Sequence, residues 1–530
     1  MTIKTVVRRS EFYDSIFLMR ISEEASKIGG VRQAVALMAT DLNKELLENI
    51  GLLTEDAKEA GPSDLVIAIE AETEDHLHRA LKEIDGMLSR RRREAAEEYF
   101  PYTLESALEM MPDANVVTIS VPGEFARREA LTALRRGLHV FLFSSNVSLE
   151  EELELKTLAR RRGLLMMGPD CGTALINGVT LGFGNALRKG PIGIVAAAGT
   201  GIQQVGALIH GMGSGISHAI GTGGRDLAEE IGGITMSEGL KRLEGEEGTE
   251  VIVLISKPPS PPVAEKILGL AKRCGKPVVV NFIGADPTEV RKAGLIPAVT
   301  LEEAAYKAVA LARGEAPRKA MFVPISDALL SVAAYESAKL TSDQKYVRGF
   351  FSGGTLCYES ISILEGLIGD IYSNTPIKPG LKLPSPHVSK GHTCVDMGAM
   401  EFVAGRPHPM IDPTLRSQRI LREAGDPETA VILLDIVLGY GAHPDPAGAL
   451  ASSIKRAKRK AEDGGRHLPV VASLIGTELD VQGVEDQKEK LMEDGVIVLP
   501  SNAQATRVAA LIATRCAVKN VLPRECDSVA

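Results

Sequence analysis

Tryptophan is absent from the 530 residues, and aromatic residues make up only 4% of the chain. So few rings cannot form the stacking surface on which single-stranded nucleic acids are bound. The formal net charge of −9 also disfavours contact with a phosphate backbone. We therefore expect no nucleic acid among the partners of this protein.

Cysteine and long apolar runs are scarce as well. The six cysteines include no CxxC pair, which argues against a disulfide framework or a zinc site, and we expect no metal. No run of 18 apolar residues occurs, since even the apolar stretch 431–438 contains Asp435. The first residues, MTIKTVVRRS, lack the apolar segment of a signal peptide. The sequence thus predicts a cytoplasmic protein without membrane contact.

Glycine is abundant, with 52 residues, and 44% of the chain is hydrophobic. This composition is typical of α/β domains with tight turns, and the length exceeds that of a single core. Residues 1–95 predict a small N-terminal α/β domain and linker. Its strand-like runs lie at Ile3–Val7, Val31–Met38 and Asp64–Ala71.

Residues 96–189 predict a truncated Rossmann domain, which looks like half of a nucleotide-binding fold. Strand-like runs at 116–123, 139–144 and 164–173 alternate with helical segments, which indicates a parallel sheet with right-handed crossovers. A strand with a G-x-G-x-x-G turn is missing, so we expect neither a nicotinamide nor a flavin cofactor.

The rest of the chain contains an internal repeat. GPIGIVAAAGTGIQQVGALI (190–209) matches YVRGFFSGGTLCYESISIL (346–364), and three later segments of each copy match in step. The repeat predicts two duplicated flavodoxin-like domains at 190–318 and 346–525, joined by a connector. The fold class is therefore α/β throughout.

Each copy has a Gly-rich turn where a strand leads into a helix. These turns are Ala198-Gly199-Thr200-Gly201 and Ser352-Gly353-Gly354-Thr355. Glycine lets an anion approach the backbone, the helix N-terminus attracts negative charge, and the threonine hydroxyl adds a donor. The alternative is that such turns need glycine for geometry alone. Two matched loops favour phosphate or acyl-phosphate binding more than one loop would.

Four further segments are expected at strand ends, where open α/β sheets bind ligands. They are 168–173, 221–226, 391–396 and 439–444, and the third aligns with the second, pairing Asp396 with Asp226. The predicted phosphate-binding residues are Gly199, Thr200, Gly201, Gly353, Gly354, Thr355, Gly223, Gly224, Asp170, Gly172, Thr173, Gly439, Gly441 and His443.

Several of these motifs resemble the FdrA family. The segments that carry the resemblance are GPDCGTALINGVTLGFGN, IGIVAAAGTGIQQVGALI, IGTGGRDLAEEIGGITM, YDSIFLMRIS and GHTCVDMGAMEFVAGRPHPMIDP. FdrA proteins are known as acyl-CoA synthetases. More distantly, residues 100–312 are similar to the α subunit of succinyl-CoA ligase, and 346–515 to a second ligase-type domain. This resemblance implies a succinyl-CoA ligase scaffold, in which the domain 96–189 is CoA-binding-like and the domains 190–318 and 346–525 are ligase-CoA-like, and it leaves CoA open as a ligand.

The chain departs from the ligase pattern at three places. The ligase carries phosphate on the histidine of a Gly-His-Ala-Gly segment, whereas FIGADPTEVRKAGLIP (282–297) contains no histidine. His210 and His218 lie elsewhere, and we interpret them as structural. No ATP-grasp domain precedes the second ligase-type domain, and the CoA-binding strand with its glycine turn is lost.

The remaining polar residues suggest a chemistry without a nucleotide. We expect Arg225 to pair with phosphate or carboxylate, and Asp226 and Asp396 to orient the substrate or act as bases. Cys171 is either a nucleophile or a small buried residue.

The resemblance implies a subunit of an oxamate carbamoyltransferase complex, which exchanges a carbamoyl group between oxalurate and phosphate in purine and allantoin breakdown. The expected partners are small anionic substrates (carbamoyl phosphate, oxalurate or an acyl-CoA), further subunits from the same operon and further copies of the chain. An acyl-CoA synthetase subunit and a non-catalytic scaffold are the alternatives.

Overall fold

A computed structural model describes residues 2–11, 13, 15–97, 101–317, 325–403 and 406–517. The chain divides into two compact units, one of residues 1–112 with 400–408 and one of residues 113–399 with 409–530. Parts of the predicted connector and of the predicted domain 346–525 lie outside the described residues. Within the described ranges, no helix is both long and apolar enough to cross a membrane.

The first unit is a small α/β fold with a three-stranded antiparallel sheet in the order β1-β3-β2. Its strands confirm the three predicted runs to within one residue at each end. The strands are β1 (Thr2–Arg8), β2 (Val31–Met38) and β3 (Leu65–Ala71). The helices are α1 (Ser15–Ser26), α2 (Asp41–Asn49), α3 (Glu55–Glu59), α4 (Glu74–Glu97) and α5 (Leu104–Met110).

The second unit begins with a small parallel sheet, β4-β5-β6. Its elements are β4 (Val116–Ile119), α6 (Gly123–Arg135), β5 (His139–Leu142), α7 (Leu149–Arg161) and β6 (Met166–Met167). The predicted third strand, 164–173, is too long. It ends at Met167 because Gly168 and Asp170 both have left-handed backbone angles, with φ of 109° and 55°. Thr173 instead starts a strand of the next sheet.

That next sheet has the order β13-β12-β11-β9-β10-β7-β8 and contains the first copy of the repeat. Its strands are β7 (Thr173–Ile176), β8 (Val179–Gly182), β9 (Lys189–Ala196), β10 (Ile216–Gly221), β11 (Val251–Ser256), β12 (Val278–Phe282) and β13 (Ile296–Pro297). Its helices are α8 (Gly199–Gly211), α9 (Ile234–Gly245), α10 (Pro261–Arg273), α11 (Thr288–Lys292) and α12 (Leu301–Ala312).

The second copy follows α13 (Asp327–Ala338) and forms a sheet in the order β15-β16-β14-β17-β18-β19. The strands are β14 (Tyr346–Phe351), β15 (Ile371–Tyr372), β16 (His392–Asp396), β17 (Thr429–Val437), β18 (Val470–Ile475) and β19 (Val496–Leu499). The helices are α14 (Gly354–Ile368), α15 (Met400–Val403) of the first unit, α16 (Thr414–Glu423), α17 (Pro446–Asp463), α18 (Val484–Glu493) and α19 (Asn502–Ala513).

The two copies share one strand order, which confirms the predicted duplication. The first strand β9 lies between β10 and β11, and its counterpart β14 lies between β16 and β17, with the short β15 added at the edge of the second sheet; the core order is that of flavodoxin-like sheets. The helix after the first strand begins at Gly199 in one copy and at Gly354 in the other. Thr200 and Thr355 are therefore equivalent residues, each the second of its helix.

Strand register corrects one detail of the predicted alignment. Gly221 pairs with Ala196 in the first copy, and Asp396 pairs with Phe351 in the second. Because Ala196 and Phe351 both lie three residues before the helix, Asp396 corresponds to Gly221. The proposed match of Asp396 to Asp226 is wrong by five residues.

The copies pack on each other with an approximate exchange symmetry. The side chain of Gln204, sixth residue of α8, accepts a hydrogen bond of 2.9 Å from the backbone of Asn502. The side chain of Glu359, sixth residue of α14, accepts one of 2.7 Å from the backbone of Leu301. Leu301 and Asn502 are the first residues of α12 and α19, so each copy satisfies a helix N-terminus of the other.

Candidate functional site

The two Gly-Thr turns lie at the ends of buried strands. β9 ends in the buried run 192–196 and β14 in the buried run 347–351, so both turns sit at the carboxyl edge of a sheet. The N-cap residues, Ala198 and Gly353, provide no side-chain hydrogen bond to the helix that follows. Backbone N–H groups at the start of α8 and α14 are therefore not capped by their own N-cap side chains.

The turns contact each other across the two copies. A Cβ built on Gly353 would lie 2.7 Å from both the Oγ1 and the Cγ2 of Thr200. A Cβ on Gly201 would lie 3.3 Å from the Cγ2 of Thr355. Thr200 and Thr355 are each 7% exposed. The two helix N-termini and their threonines thus form one site, which we call the paired-loop site (residues 198–201 and 352–355).

The two halves of the paired-loop site differ electrostatically. In the second copy, Asp435 accepts hydrogen bonds from the backbone of Ser352 and Gly353, each 2.7 Å long. A Cβ on Gly354 would lie 2.6 Å from the Oδ2 of Asp396. Carboxylates therefore surround the start of α14. At the start of α8 the neighbour is a hydroxyl instead, since a Cβ on Gly199 would lie 3.2 Å from the Oγ1 of Thr173.

Three charged residues lie in loops at the carboxyl ends of neighbouring strands. Asp170 follows β6, Arg225 follows β10, and Lys257 follows β11. Burial raises the pKa of the Asp170 carboxyl group, although the residue as a whole is exposed, and the positive charges of Arg225 and Lys257 partly offset that rise. We call these three residues the cationic mouth.

Arg225 is held from one side only. Its guanidinium donates a 2.8 Å hydrogen bond to the carbonyl of Val147 and forms an ion pair with the carboxylate of Glu152, also at 2.8 Å. The side chain keeps 43% of its surface exposed, so it can still contact a ligand.

Asp226 has a different environment from its neighbour Arg225. Its carboxylate is fully buried and accepts a 2.6 Å hydrogen bond from Lys156, which also pairs with Glu152 at 2.8 Å. It further accepts from the backbone of Thr235 and Met236 at the start of α9. These contacts fit a structural ion pair and helix cap, and its role as a base stays a prediction.

Cys171 is buried among backbone groups. Burial raises the pKa of its thiol to about 12, and Sγ lies 3.6 Å from the carbonyl of Thr173. A thiol with such a pKa is protonated at neutral pH and is a poor nucleophile. The geometry favours the small buried residue over the nucleophile.

Other glycines predicted to bind phosphate serve close backbone contacts. A Cβ on Gly223 would lie 2.3 Å from the carbonyl oxygen of Pro169. A Cβ on Gly439 would lie 2.2 Å from that of Gly184, and one on Gly441 would lie 2.9 Å from the ring of Phe183. A Cβ on Gly172 would meet only Phe183, at 4.0 Å, and a Cβ on Gly224 would meet nothing within 4 Å.

His210 and His218 lie away from the paired-loop site, whereas His443 lies close to Ser352 within it. His210 is at the far end of α8, about 15 Å along the helix from Thr200, and contacts Glu478 at 2.7 Å. His218 lies in β10 and accepts from the backbone of Asn177. His443 accepts from the backbone of Asp445 and lines a cavity of about 10 Å³ with Ser352 and Arg416, enough for one water.

The sequence did not identify Lys257 or Glu359 as candidate functional residues. A lone lysine after an apolar strand has the usual pattern of a solvated strand end, although the prolines that follow it mark a rigid loop. Glu359 has no local signal, because its partners Leu301 and Asn502 are distant in sequence. Only its equivalence to Gln204 within the repeat could have indicated a shared role.

The pH dependence of stability should report on Glu359. Burial raises the pKa of its carboxyl group from 4.5 to about 7. Since the folded state then holds a proton that the unfolded state releases, the free energy of unfolding should fall by about 3 kcal/mol between pH 4.5 and 7 and stay low above pH 7. Glu359→Gln, which copies Gln204, should remove this fall. Denaturation of the parent and the variant at pH 4.5 and pH 8 measures this fall. If the free energy of unfolding falls equally in both proteins, the prediction is contradicted.

Three family models match parts of this chain. Residues 350–512 match the family model "CoA-ligase", residues 188–284 match "CoA binding domain", and residues 1–101 match "AllF, heavy metal-associated domain". The CoA-binding match thus covers part of the predicted domain 190–318. Among the described residues, no group of three or more His, Cys, Asp or Glu side chains could hold a metal ion.

Several curated proteins are similar to this chain. The uncharacterized protein YahF of Escherichia coli (strain K12) is 45% identical over 96% of this chain and 98% of its own length. The malate–CoA ligase α subunit of Methylorubrum extorquens is 26% identical over 39% of this chain and 72% of its own length. The succinate–CoA ligase α subunit 2 of Archaeoglobus fulgidus is 28% identical over 27% of this chain and 50% of its own length.

The fold, the paired-loop site and these matches define an α/β protein on a CoA-ligase-type scaffold. The chain belongs to the FdrA family, which is related to succinyl-CoA ligase.

Proposed function

We propose that this chain is the subunit of an oxamate carbamoyltransferase complex that carries out carbamoyl exchange between oxalurate and phosphate. The observation that supports it most is the contact between the two Gly-Thr turns, which brings Gly353 against Thr200. Two helix N-termini directed at one place favour a phosphoryl group through their N–H groups and their dipoles.

The proposed reaction needs two anion positions. A phosphate oxygen bonds to the carbamoyl carbon of oxalurate, the C–N bond to the oxamate nitrogen breaks, and that nitrogen takes a proton. The paired-loop site binds the phosphate, mainly at the α8 end, where Thr173 and Thr200 offer hydroxyl donors and carboxylates are less crowded than at α14. Asp170, whose pKa is raised, is the candidate proton donor in the cationic mouth.

The missing histidine of the ligase motif supports the same reading. Segment 282–297 has no histidine that could carry phosphate from a nucleotide as the ligase histidine does. His210 and His218 are held by contacts remote from the paired-loop site. Direct use of a phosphorylated substrate needs no such carrier.

A CoA-dependent acyl ligase is the second candidate, because the "CoA-ligase" and "CoA binding domain" models match. The deciding experiment is to purify the chain with its native partner subunits and to assay oxalurate phosphorolysis against CoA-dependent ligation. Carbamoyl phosphate formed from oxalurate and phosphate supports the proposal. CoA thioester formation, or an acid-labile phosphate on a histidine after incubation with ATP, favours the ligase.

Removing one threonine hydroxyl should weaken phosphate binding. Thr200→Val keeps the volume and deletes one donor, and a hydrogen bond to a charged group contributes about 1.5–3 kcal/mol, so Kd should rise about ten- to a hundredfold. Thr355→Val should behave alike if both loops share one phosphoryl group. Thr200→Ser is the control, since it keeps the hydroxyl and should bind within about threefold of the parent. Calorimetric titration with inorganic phosphate measures all four. Equal affinities would leave the turns with a structural role only.

A further inference from the structure

Lys257 lies directly after the carboxyl end of β11, at a restricted backbone position. The buried hydroxyl of Ser256 donates to the carbonyl of Lys257, and Pro258 and Pro259 follow directly. A residue before proline is restricted to extended backbone, so the loop presents this side chain in a defined direction. Ile255, two residues earlier, lies 3.2 Å from a Cβ built on Gly201. The backbone of Lys257 therefore lies two residues from a side chain that packs against the paired-loop site.

The Lys257 side chain reaches the second copy. Its Nζ lies 5.0 Å from the ring centroid of Tyr358, in the second turn of α14. Burial raises the pKa of Asp170 in the cationic mouth and of Cys357 in α14, and the positive charge of Lys257 opposes both rises. One cation thus acts on groups from both sides of the junction between the copies.

This cation has no ionic partner in the part of the chain that the structure describes. No carboxylate there lies within 4.0 Å of its Nζ, and the side chain is exposed. By comparison, Lys156 is neutralised by Glu152 and Asp226, and Arg225 by Glu152. Lys257 is consequently the charge of the cationic mouth that is most available to an incoming anion.

We propose that Lys257, assisted by Arg225, binds the carboxylate of the carbamoyl-donor substrate, in a position separate from the phosphate in the paired-loop site. This inference rests on the proposed function and names the second anion position that it needs. Two anions cannot occupy the same loop N–H groups, so the second must find cations close by. The cationic mouth supplies two such cations, Arg225 and Lys257, and both act on the charge of Asp170.

The plainer role for Lys257 is to hold the copies together through the ring of Tyr358. Such a cation–π contact contributes about 0.5–1 kcal/mol at an exposed site. Two variants separate the roles. Lys257→Met keeps most of the apolar stem against the ring and removes the charge, whereas Tyr358→Leu removes the ring and keeps the charge. Lys272→Met is the matched control, because Lys272 is exposed in the last turn of α10, at the opposite edge of the same sheet.

The test is calorimetric titration of the full chain, purified with its native partner subunits, with two probes, oxamate as the carboxylate and inorganic phosphate. Lys257→Met should weaken oxamate binding about ten- to a hundredfold and phosphate binding less than about threefold. Thr200→Val should do the reverse. Tyr358→Leu and Lys272→Met should leave both affinities within about threefold, and the unfolding temperature of Lys257→Met without ligand should match the parent.

Each other outcome has a defined meaning. Parent-like oxamate binding by Lys257→Met overturns the inference, and so does an equal loss for both probes or a loss of oxamate binding in Tyr358→Leu. Binding of phosphate without oxamate by the parent protein also overturns it, while the paired-loop site stands. If the parent protein binds neither probe, the proposed function itself fails and this inference fails with it.

Discussion

Gly439→Ala should destabilise the second unit by more than about 4 kcal/mol, the largest effect on stability that we expect from one methyl group. Gly439 has a φ of 109°, which an L side chain rarely adopts, and the added Cβ would lie 2.2 Å from the carbonyl oxygen of Gly184. The loop cannot easily move away. Gln482 accepts from the Gly439 N–H at 3.0 Å and donates to its carbonyl at 2.9 Å, and Tyr440 exchanges backbone hydrogen bonds with Gly184.

Gly213→Ala is the matched control for this prediction. Gly213 also has a left-handed φ, of 79°, but a Cβ there meets nothing within 4 Å. It should therefore cost only the backbone strain, about 1–2 kcal/mol. Scanning calorimetry of both variants gives the difference, which reports the contact between the copies. Similar losses in the two variants would mean that the loops at 184 and 439 separate freely.

This interface also explains why some predicted site residues have another role. Gly439 and Gly441 were predicted to bind phosphate because they follow a strand, as the glycines of the paired-loop site do. A single sequence cannot distinguish a glycine that admits an anion from one that admits the backbone of a neighbouring copy. The neighbour here, Gly184, is more than 250 residues earlier in the chain. Their role in phosphate binding stays a prediction.

Local patterns predicted much of the fold. The apolar runs gave the three strands of the first unit, and the repeat gave the equivalence of Thr200 and Thr355, because strand, turn and helix are all encoded within about 20 residues. Asp396 was misaligned for a related reason. GTGGRD and GHTCVD look alike as letters, but the second lies largely inside a strand whereas the first continues beyond one. Only strand register reveals the shift.

The buried polar contacts between the copies could not be predicted from the sequence. The bond from Asn502 to Gln204 joins residues 298 apart, and that from Leu301 to Glu359 joins residues 58 apart. Neither side chain has a distinctive neighbour in sequence. Their importance arises from the approximate symmetry of the packed copies, which brings four helix termini together. Lys257 likewise gains its significance from Tyr358 on the other copy.

Gly353→Ala should reduce the affinity for phosphate by at least about a hundredfold, the largest effect on binding that we expect. Gly353 has a φ of −102°, which alanine adopts without strain, so the effect arises from the new contact alone. The added Cβ would lie 2.7 Å from the Thr200 hydroxyl and methyl and 2.9 Å from the buried side chain of Leu356. Thr200 is the smaller obstacle, and its displacement would separate the two turns.

A second substitution tests this explanation. Thr200→Ala removes both Thr200 atoms that the new methyl group meets and leaves only Leu356. The double variant should therefore regain about 1 kcal/mol or more of the stability that Gly353→Ala loses, a coupling typical of residues in direct contact. Phosphate affinity should not recover, because the hydroxyl is gone. Gly366→Ala, at an exposed and uncrowded position of the same helix, should bind normally and be more stable by about 0.5–1 kcal/mol. Additive losses of stability in the double variant would show that Gly353 and Thr200 do not meet, and would remove the contact on which the paired-loop site depends.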